Sequence, residues 1–215
     1  MRHTPKYSVT DEAVVRRMIE EHPWTTFVST TSEGLVASHY ASLLEEREDG
    51  RLSIVTHLGR PDDKVHQLTA GQEILAIVQG PHGYVSPSWY SAADRSVPTW
   101  NFSAAHLSGT PELLGEEENL RVLERLVAHF EQHVADPQWL VVPEAVELAR
   151  GTVGMRLIVD RLVCKVKMSQ GQDEETHGNV LRELRGDGPY ASPSLADDME
   201  RALAEGLGGD PRASR

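Results

Sequence analysis

Apolar residues in this chain fall in short alternating or continuous runs, separated by glycine- and proline-containing breaks. That is the pattern of many short strands with helices set between them. Thr10-Asp11-Glu12 opens a helix with a capping hydroxyl and carboxylates where the dipole favours them. Val14, Val15, Met18 and Ile19 share one face of it, and His22-Pro23 ends it. Trp24 to Thr31 reads as a strand, Ser32-Glu33-Gly34 turns it into a second strand from Leu35 to Leu44, and Asp49-Gly50 turns into a third from Arg51 to Thr56. Three strands joined by short turns make an antiparallel meander. After His57-Leu58-Gly59-Arg60-Pro61 the period changes: Val65, Leu68 and a closing Gly71 predict a short helix with Asp62 and Asp63 in its first turn.

Ile74 to Val78 predicts a short buried strand, stopped by a turn at Gly80-Pro81-His82-Gly83, because proline lacks an amide and glycine admits a positive φ. Thr99 to Leu107 returns as a strand, ended at Gly109-Thr110-Pro111. From Glu116 to His133 an amphipathic helix is expected, with Leu120, Leu123, Val127, Phe130 and Val134 on its core face. Val153 to Met168 is β-rich, with Arg161 at an edge or a bend. Ser194 to Leu207 reads as a helix with Asp197, Asp198 and Glu200 on its solvated face, and the chain frays from Gly208. The class is mainly β with helices (α+β), a small antiparallel barrel with peripheral helices.

A length of 215 residues supports one substantial core, and no linker separates two large domains. The expected division is residues 1–170 as the barrel domain and 171–215 as a C-terminal helical extension packed on it. The net charge of −12 changes the picture more. Nucleic-acid affinity comes chiefly from Lys and Arg neutralising phosphates, so an acidic chain without a basic run argues against direct DNA binding. Cys164 is alone in the chain and lies in a strand-like run, which excludes an internal disulfide and suggests a small buried residue. The start MRHTPKYSVTDE lacks a signal-peptide core, and no run is long enough to span a bilayer, so a cytoplasmic location is expected. No metal-ligand spacing stands out: His129 and His133 sit near a helix end, where a positive charge suits the dipole.

One stretch is compositionally distinct. Tyr84, Trp89, Tyr90 and Trp100 crowd into a segment broken by Pro87 and Pro98. Composition alone favours a loop folded onto its own core. Flat aromatic faces with polar tips on a stiffened backbone also suit a planar, partly polar ligand. The run Gln79-Gly80-Pro81-His82-Gly83-Tyr84-Val85-Ser86-Pro87-Ser88-Trp89-Tyr90, with Val97-Pro98-Thr99-Trp100-Asn101-Phe102, resembles the signature of the PaiB-like FMN-binding family. The likeness extends from Thr4-Pro5-Lys6-Tyr7 to Lys167-Met168-Ser169-Gln170. These proteins are known as negative transcriptional regulators and belong to the split β-barrel flavoproteins, related to pyridoxamine phosphate oxidase and flavin reductases. The resemblance implies an FMN-binding split barrel working as a homodimer, with cofactor sites at the subunit interface. It implies a regulator or a flavin or redox sensor; the alternative is a flavin-dependent oxidoreductase using NAD(P)H or another small substrate. Heme or a deazaflavin are the alternative cofactors in related barrels.

An FMN site needs cations and hydroxyls for the phosphate, hydrogen-bonding partners for the ring's polar edge, and apolar cover. Thr56, His57, Arg60 and Lys64 surround Gly59 where a strand meets a helix start, whose free amides favour an anion. A solvated basic turn beside Asp62 and Asp63 explains the same residues equally well. The resemblance points to Lys64 and Thr56 for the phosphate. It also brings in His39 and Ser42, on opposite faces of the family's second strand, and Gln79 and Trp100-Asn101 for the ring. Lys167, Ser169 and Gln170 match the family's Lys-Leu-Ser-Gln-Asn pattern, from which the chain departs at Met168 and at Gly171, where asparagine is usual.

Overall fold

The computed structural model describes residues 1, 4–92, 97–140 and 142–207, so the expected frayed tail from Gly208 lies outside the described residues. In chain order the elements are β1 (Ser8–Val9), α1 (Glu12–Glu21), β2 (Trp24–Thr31), β3 (Gly34–Glu45), β4 (Ser53–Gly59), α2 (Asp62–Val65), β5 (Ile74–Val85), β6 (Thr99–Gly109) and β7 (Pro111–Leu113). They continue with α3 (Glu116–Glu131), α4 (Val142–Arg150), β8 (Thr152–Ile158), β9 (Arg161–Lys167), α5 (Glu174–Arg185) and α6 (Pro193–Ala204). The class is mainly β with helices, as the pattern predicts. The chain forms two compact units, one from Met1–Val14, Gln79–Ala105 and Val163–Arg215, the other from Val15–Val78 and His106–Leu162.

In the second of these units the strand order is β5, β2, β3, β4, β8, β7. Its pairings are antiparallel, with registers such as Thr25 opposite Tyr40, Ser42 opposite Thr56 and His57 opposite Gly154. Phe27, Ile54, Leu58, Met155 and Leu157 are almost wholly buried, each worth about 1.5–3 kcal/mol of transfer free energy. Helix α3 lays Val122 and Leu126 on Leu43 and Val55. Its buried face is Asn119, Val122, Leu123 and Leu126, while Phe130 and the following Val134 are exposed. This corrects the expected stripe. Leu123 belongs to both readings, but the covered face is rotated towards the positions before Leu120 and Val127. A guanidinium cluster holds the sheet to α3: Arg156 on β8 pairs bidentately with Glu45 on β3, at 2.6 and 2.7 Å, and also reaches Glu118 of α3.

In the other unit β1 pairs with β9, Ser8 opposite Lys165 and Val9 opposite Cys164. Cys164 is buried as expected, and burial pushes its thiol up to about 11. Helices α5 and α6 pack through Val180, Leu184, Leu195 and Met199, all fully buried. Asp173 caps α5 by accepting from the Thr176 amide at 2.7 Å, and Arg185 joins Asp197 and Glu200 of α6 at the surface.

The turn expected at Gly80-Pro81-His82-Gly83 is instead the second half of a twelve-residue strand. Neither Gly80 nor Gly83 has a positive φ. Gly83 is glycine for want of space, since a Cβ there would stand 2.9 Å from Leu195 Cδ2 of α6. The third meander strand likewise starts later and runs on through His57 to Gly59. The helix expected to close at Gly71 is one turn long. It is followed by Gln67 at φ 52° and a separate 3-10 turn, Leu68–Ala70.

Candidate functional site

The expected site residues fall into two groups, one in each unit. In the unit containing β3 and β4, Ser42 and Thr56 face each other across the pair, and both are buried. Their hydroxyls are engaged internally: Thr56 Oγ1 donates to the Ala41 carbonyl at 2.6 Å, and Ser42 Oγ lies 2.5 Å from Thr25 Oγ1. His57, the next residue of β4, is half-buried, its Nδ1 has no partner among the described residues, and burial lowers its pKa. His39 is exposed and stacks on the ring of Trp24, with centroids 6.4 Å apart.

Beyond β4 the chain carries the cations. The Arg60 amide donates to the Gly151 carbonyl at 2.9 Å, and its guanidinium lies 3.3 Å from Asp63. Lys64 is exposed and makes no ion pair among the described residues. The single turn of α2 corrects the idea of a helix start offering amides to an anion. It is too short for a useful dipole, and its first turn holds Asp62 and Asp63. Asp62 has a different task, accepting from Ser38 Oγ at 2.8 Å and Tyr40 Oη at 2.5 Å. Burial, with the hydrogen bond and charge of Asp62 behind it, pushes the Tyr40 phenol up to about 12. This clamp between β3 and α2 was not foreseen, although Ser38 and Tyr40 share the strand face expected from their spacing.

In the other unit, Gln79 Nε2 and His82 Nδ1 lie 3.0 Å apart, and His82 stacks on Trp100 at 6.4 Å. Trp100, 55% exposed, also meets the edge of Tyr84, which packs 4.8 Å from Tyr190. Gln79 and Trp100 are thus joined through a histidine that sequence reasoning placed only in a turn. Asn101 is wholly buried: its Nδ2 donates to Ser169 Oγ at 2.8 Å and to Met199 Sδ at 3.3 Å, while Oδ1 has no partner among the described residues.

Lys167 donates to the Trp100 carbonyl at 2.8 Å and to Thr99 Oγ1, and burial, Lys165 and Lys6 together lower its pKa. Gln170 accepts from the Met168 amide and donates to the carbonyls of Val166 and Leu207. The Lys-Met-Ser-Gln segment therefore ties β6 and β9 to the end of α6. Gly171 follows at φ 91°, a conformation that asparagine adopts less easily than glycine.

Residues 1–161 match the family described as "Putative FMN-binding domain". The chain belongs to this FMN-binding family. It is 28% identical over 205 residues to the protease synthase and sporulation protein PAI 2 of Bacillus subtilis, covering 94% of this chain and 98% of that protein. Two solved structures share the fold. The FAD and heme binding protein of Mycobacterium smegmatis has a TM-score of 0.58 at 17% identity, with 78% of this chain and 76% of that chain covered. The flavocytochrome Anf3 of Azotobacter vinelandii has a TM-score of 0.58 at 19% identity, with 80% and 75% covered. The fold is the split β-barrel of flavin-binding proteins, and FMN is the cofactor of the family.

Each group, taken by itself, holds donors of the kind that cofactor uses. The Lys64 ammonium, which makes no ion pair among the described residues, suits a phosphate. The orphaned His57 Nδ1 and Asn101 Oδ1 are polar atoms in need of partners, and the open face of Trp100 suits a flat ring. Among the described residues no helix is long and apolar enough to cross a membrane, and no group of three or more His, Cys, Asp or Glu could hold a metal ion.

Proposed function

We propose that this protein is a cytoplasmic, FMN-binding homodimer of the PaiB type that senses flavin or its redox state and regulates transcription without itself touching DNA. Membership of the FMN-binding family carries the reading, and the full-length similarity to PAI 2 supports the regulator type. Lys64, with Thr56, His57 and Arg60, holds the phosphate. Gln79, Trp100 and Asn101 serve the ring; Lys167, Ser169 and Gln170 hold that second group in place, and His39 and Ser42 line the neighbouring strand. Bound FMN supplies one- and two-electron redox chemistry, while the protein sets its position and surroundings. Dimerisation is supported by large apolar side chains left in the open, Trp24 at 65% and Leu35 at 77% exposed on the β2–β3 ribbon. The charge of −12 favours an indirect regulatory role.

The test is the visible spectrum of the purified protein, mass identification of what denaturation releases, and the mass of the native particle. A two-banded flavin spectrum, released FMN and a dimer mass are expected. A colourless protein that takes up no added FMN refutes the reading. Steady NADH or NADPH oxidation by the holoprotein moves it to the oxidoreductase, and salt-sensitive binding to promoter DNA that survives competitor overturns the indirect role.

A further inference from the structure

In the unit that carries α5 and α6, a cavity of about 390 Å³ opens between the Met168–Gln172 segment and these two helices. That volume lies within the usual range for small-molecule sites. Its apolar lining is Met168, Leu181 and Leu203. Its polar wall includes Gln172 and His177, the latter only 8% exposed and with an imidazole that makes no hydrogen bond among the described residues. Neither ring nitrogen is among the buried atoms without a partner, so the ring edge is open to the cavity, where a ligand group can take the place of water. Gln170 and Ser169 also line the cavity, but the Gln170 amide is fully used within the chain and Ser169 Oγ already accepts from Asn101. Gly178 completes the wall, and a Cβ there would meet nothing within 4 Å.

We propose that this cavity is a binding site for a small uncharged molecule, one with an apolar or aromatic body and a single amide or hydroxyl group that hydrogen-bonds to His177. The body packs on Met168, Leu181 and Leu203. An anion is opposed by Glu174 on the cavity wall and by Glu200, whose charge acts on His177. A cation meets an apolar floor whose one carboxylate, Glu174, is exposed to water. The cavity shares Ser169 and Gln170 with the segment assigned to the flavin site, but the group that would bond this ligand, His177, has no part in that assignment.

Ligand-observed NMR on the full chain with benzamide, phenol and benzoate as probes tests this. Benzamide and phenol are expected to bind saturably, and benzoate at least about tenfold more weakly, because Glu174 and Glu200 repel its carboxylate. His177→Phe removes the bond and lowers benzamide affinity about tenfold. Gly178→Leu fills the cavity and abolishes binding with a melting temperature no lower than the parent's, because leucine is the better helix former and its Cβ enters open space. Absence of saturable benzamide and phenol binding overturns the proposal. So does benzamide binding unchanged in both variants, benzoate binding as tightly as benzamide, or displacement of the probes by FMN.

Discussion

The glycine at position 83 gives a sharp test of why the aromatic segment looks as it does. If Gly83 were there to reverse the chain, alanine would strain the backbone whatever stood opposite. In the structure it is an extended strand residue without a positive φ, and what opposes alanine is Leu195. A Cβ would stand 2.9 Å from Leu195 Cδ2, short of optimal carbon contact by about 0.6–1 Å. Leu195 is 0% exposed, so its methyl must yield within the core and not into solvent. Overpacking of this kind costs about 1–3 kcal/mol, while replacing a strand glycine by alanine returns about 0.5–1 kcal/mol. Gly83→Ala is therefore expected to destabilise by about 0–2.5 kcal/mol. Leu195→Ala alone costs about 2–5 kcal/mol through its cavity. In the double variant the new methyl enters the vacated space, so the pair should cost at least about 1 kcal/mol less than the sum. Urea unfolding of the four proteins measures this, provided the m-value is unchanged. Additivity within about 0.5 kcal/mol, or a Gly83→Ala protein more stable than the parent, refutes the packing argument.

Three further outcomes follow from the geometry. Lys64→Ala should weaken FMN binding about tenfold and leave riboflavin binding and the melting temperature unchanged, since Lys64 is exposed and makes no ion pair among the described residues; fluorescence titration with both flavins measures it. Burial opposes ionisation of Glu45, but the hydrogen bonds and charge of Arg156 outweigh it and hold its pKa below the ordinary 4.5. The stability it contributes is present above pH 4.5 and is lost as the pH falls through the lowered folded value, so Glu45→Gln should be less stable than the parent at pH 7 and show a shallower acid loss in urea midpoints. Cys164, buried and with its thiol pushed up to about 11, should resist a thiol reagent at pH 8 in the native protein and react once per chain in denaturant.

The elements legible in the sequence were those whose pattern and local chemistry agree. The β2–β3–β4 meander is punctuated by Ser32-Glu33-Gly34 and Asp49-Gly50, and β2 alternates buried with less buried positions, so the strands appear within a few residues of their expected bounds. Pattern reading failed where a residue answers to a distant partner. Gly83 is small because of Leu195, more than a hundred positions away, and so reads locally as a turn. On α3, Asn119 is buried because its amide donates to Thr152 and Ala149, a polar core position that an apolar stripe does not reveal. The sequence pattern predicts neither α4 nor α5: α5 is rich in charge, and its signal is the Asp173 cap followed by buried Thr176, His177, Val180 and Leu184. For the site, the residue types near Arg60 and Lys64 were legible, but the clamp of Ser38 and Tyr40 on Asp62 and the role of His82 beside Trp100 depend on proximity that only the fold supplies.

The way the two units share the chain bears on how the protein is made. Every residue of the unit formed by Val15–Val78 and His106–Leu162 has left the ribosome once Leu162 has, whereas the other unit draws on Met1–Val14 and again on residues from Val163 onward. Its strand β1 pairs with Lys165 and Cys164, about 155 residues later. At a synthesis rate of about 5–20 residues per second, Ser8 and Val9 wait roughly 8–30 seconds for their neighbouring strand. During that interval Ile74–Val78 can already join its own unit while Gln79–Val85, the rest of the same strand, has no completed unit to enter. No continuous fragment of the sequence reproduces the unit of α5 and α6. A nascent chain stalled before Val163 would hold one unit ready to fold and leave the segments of the other for chaperones to guard.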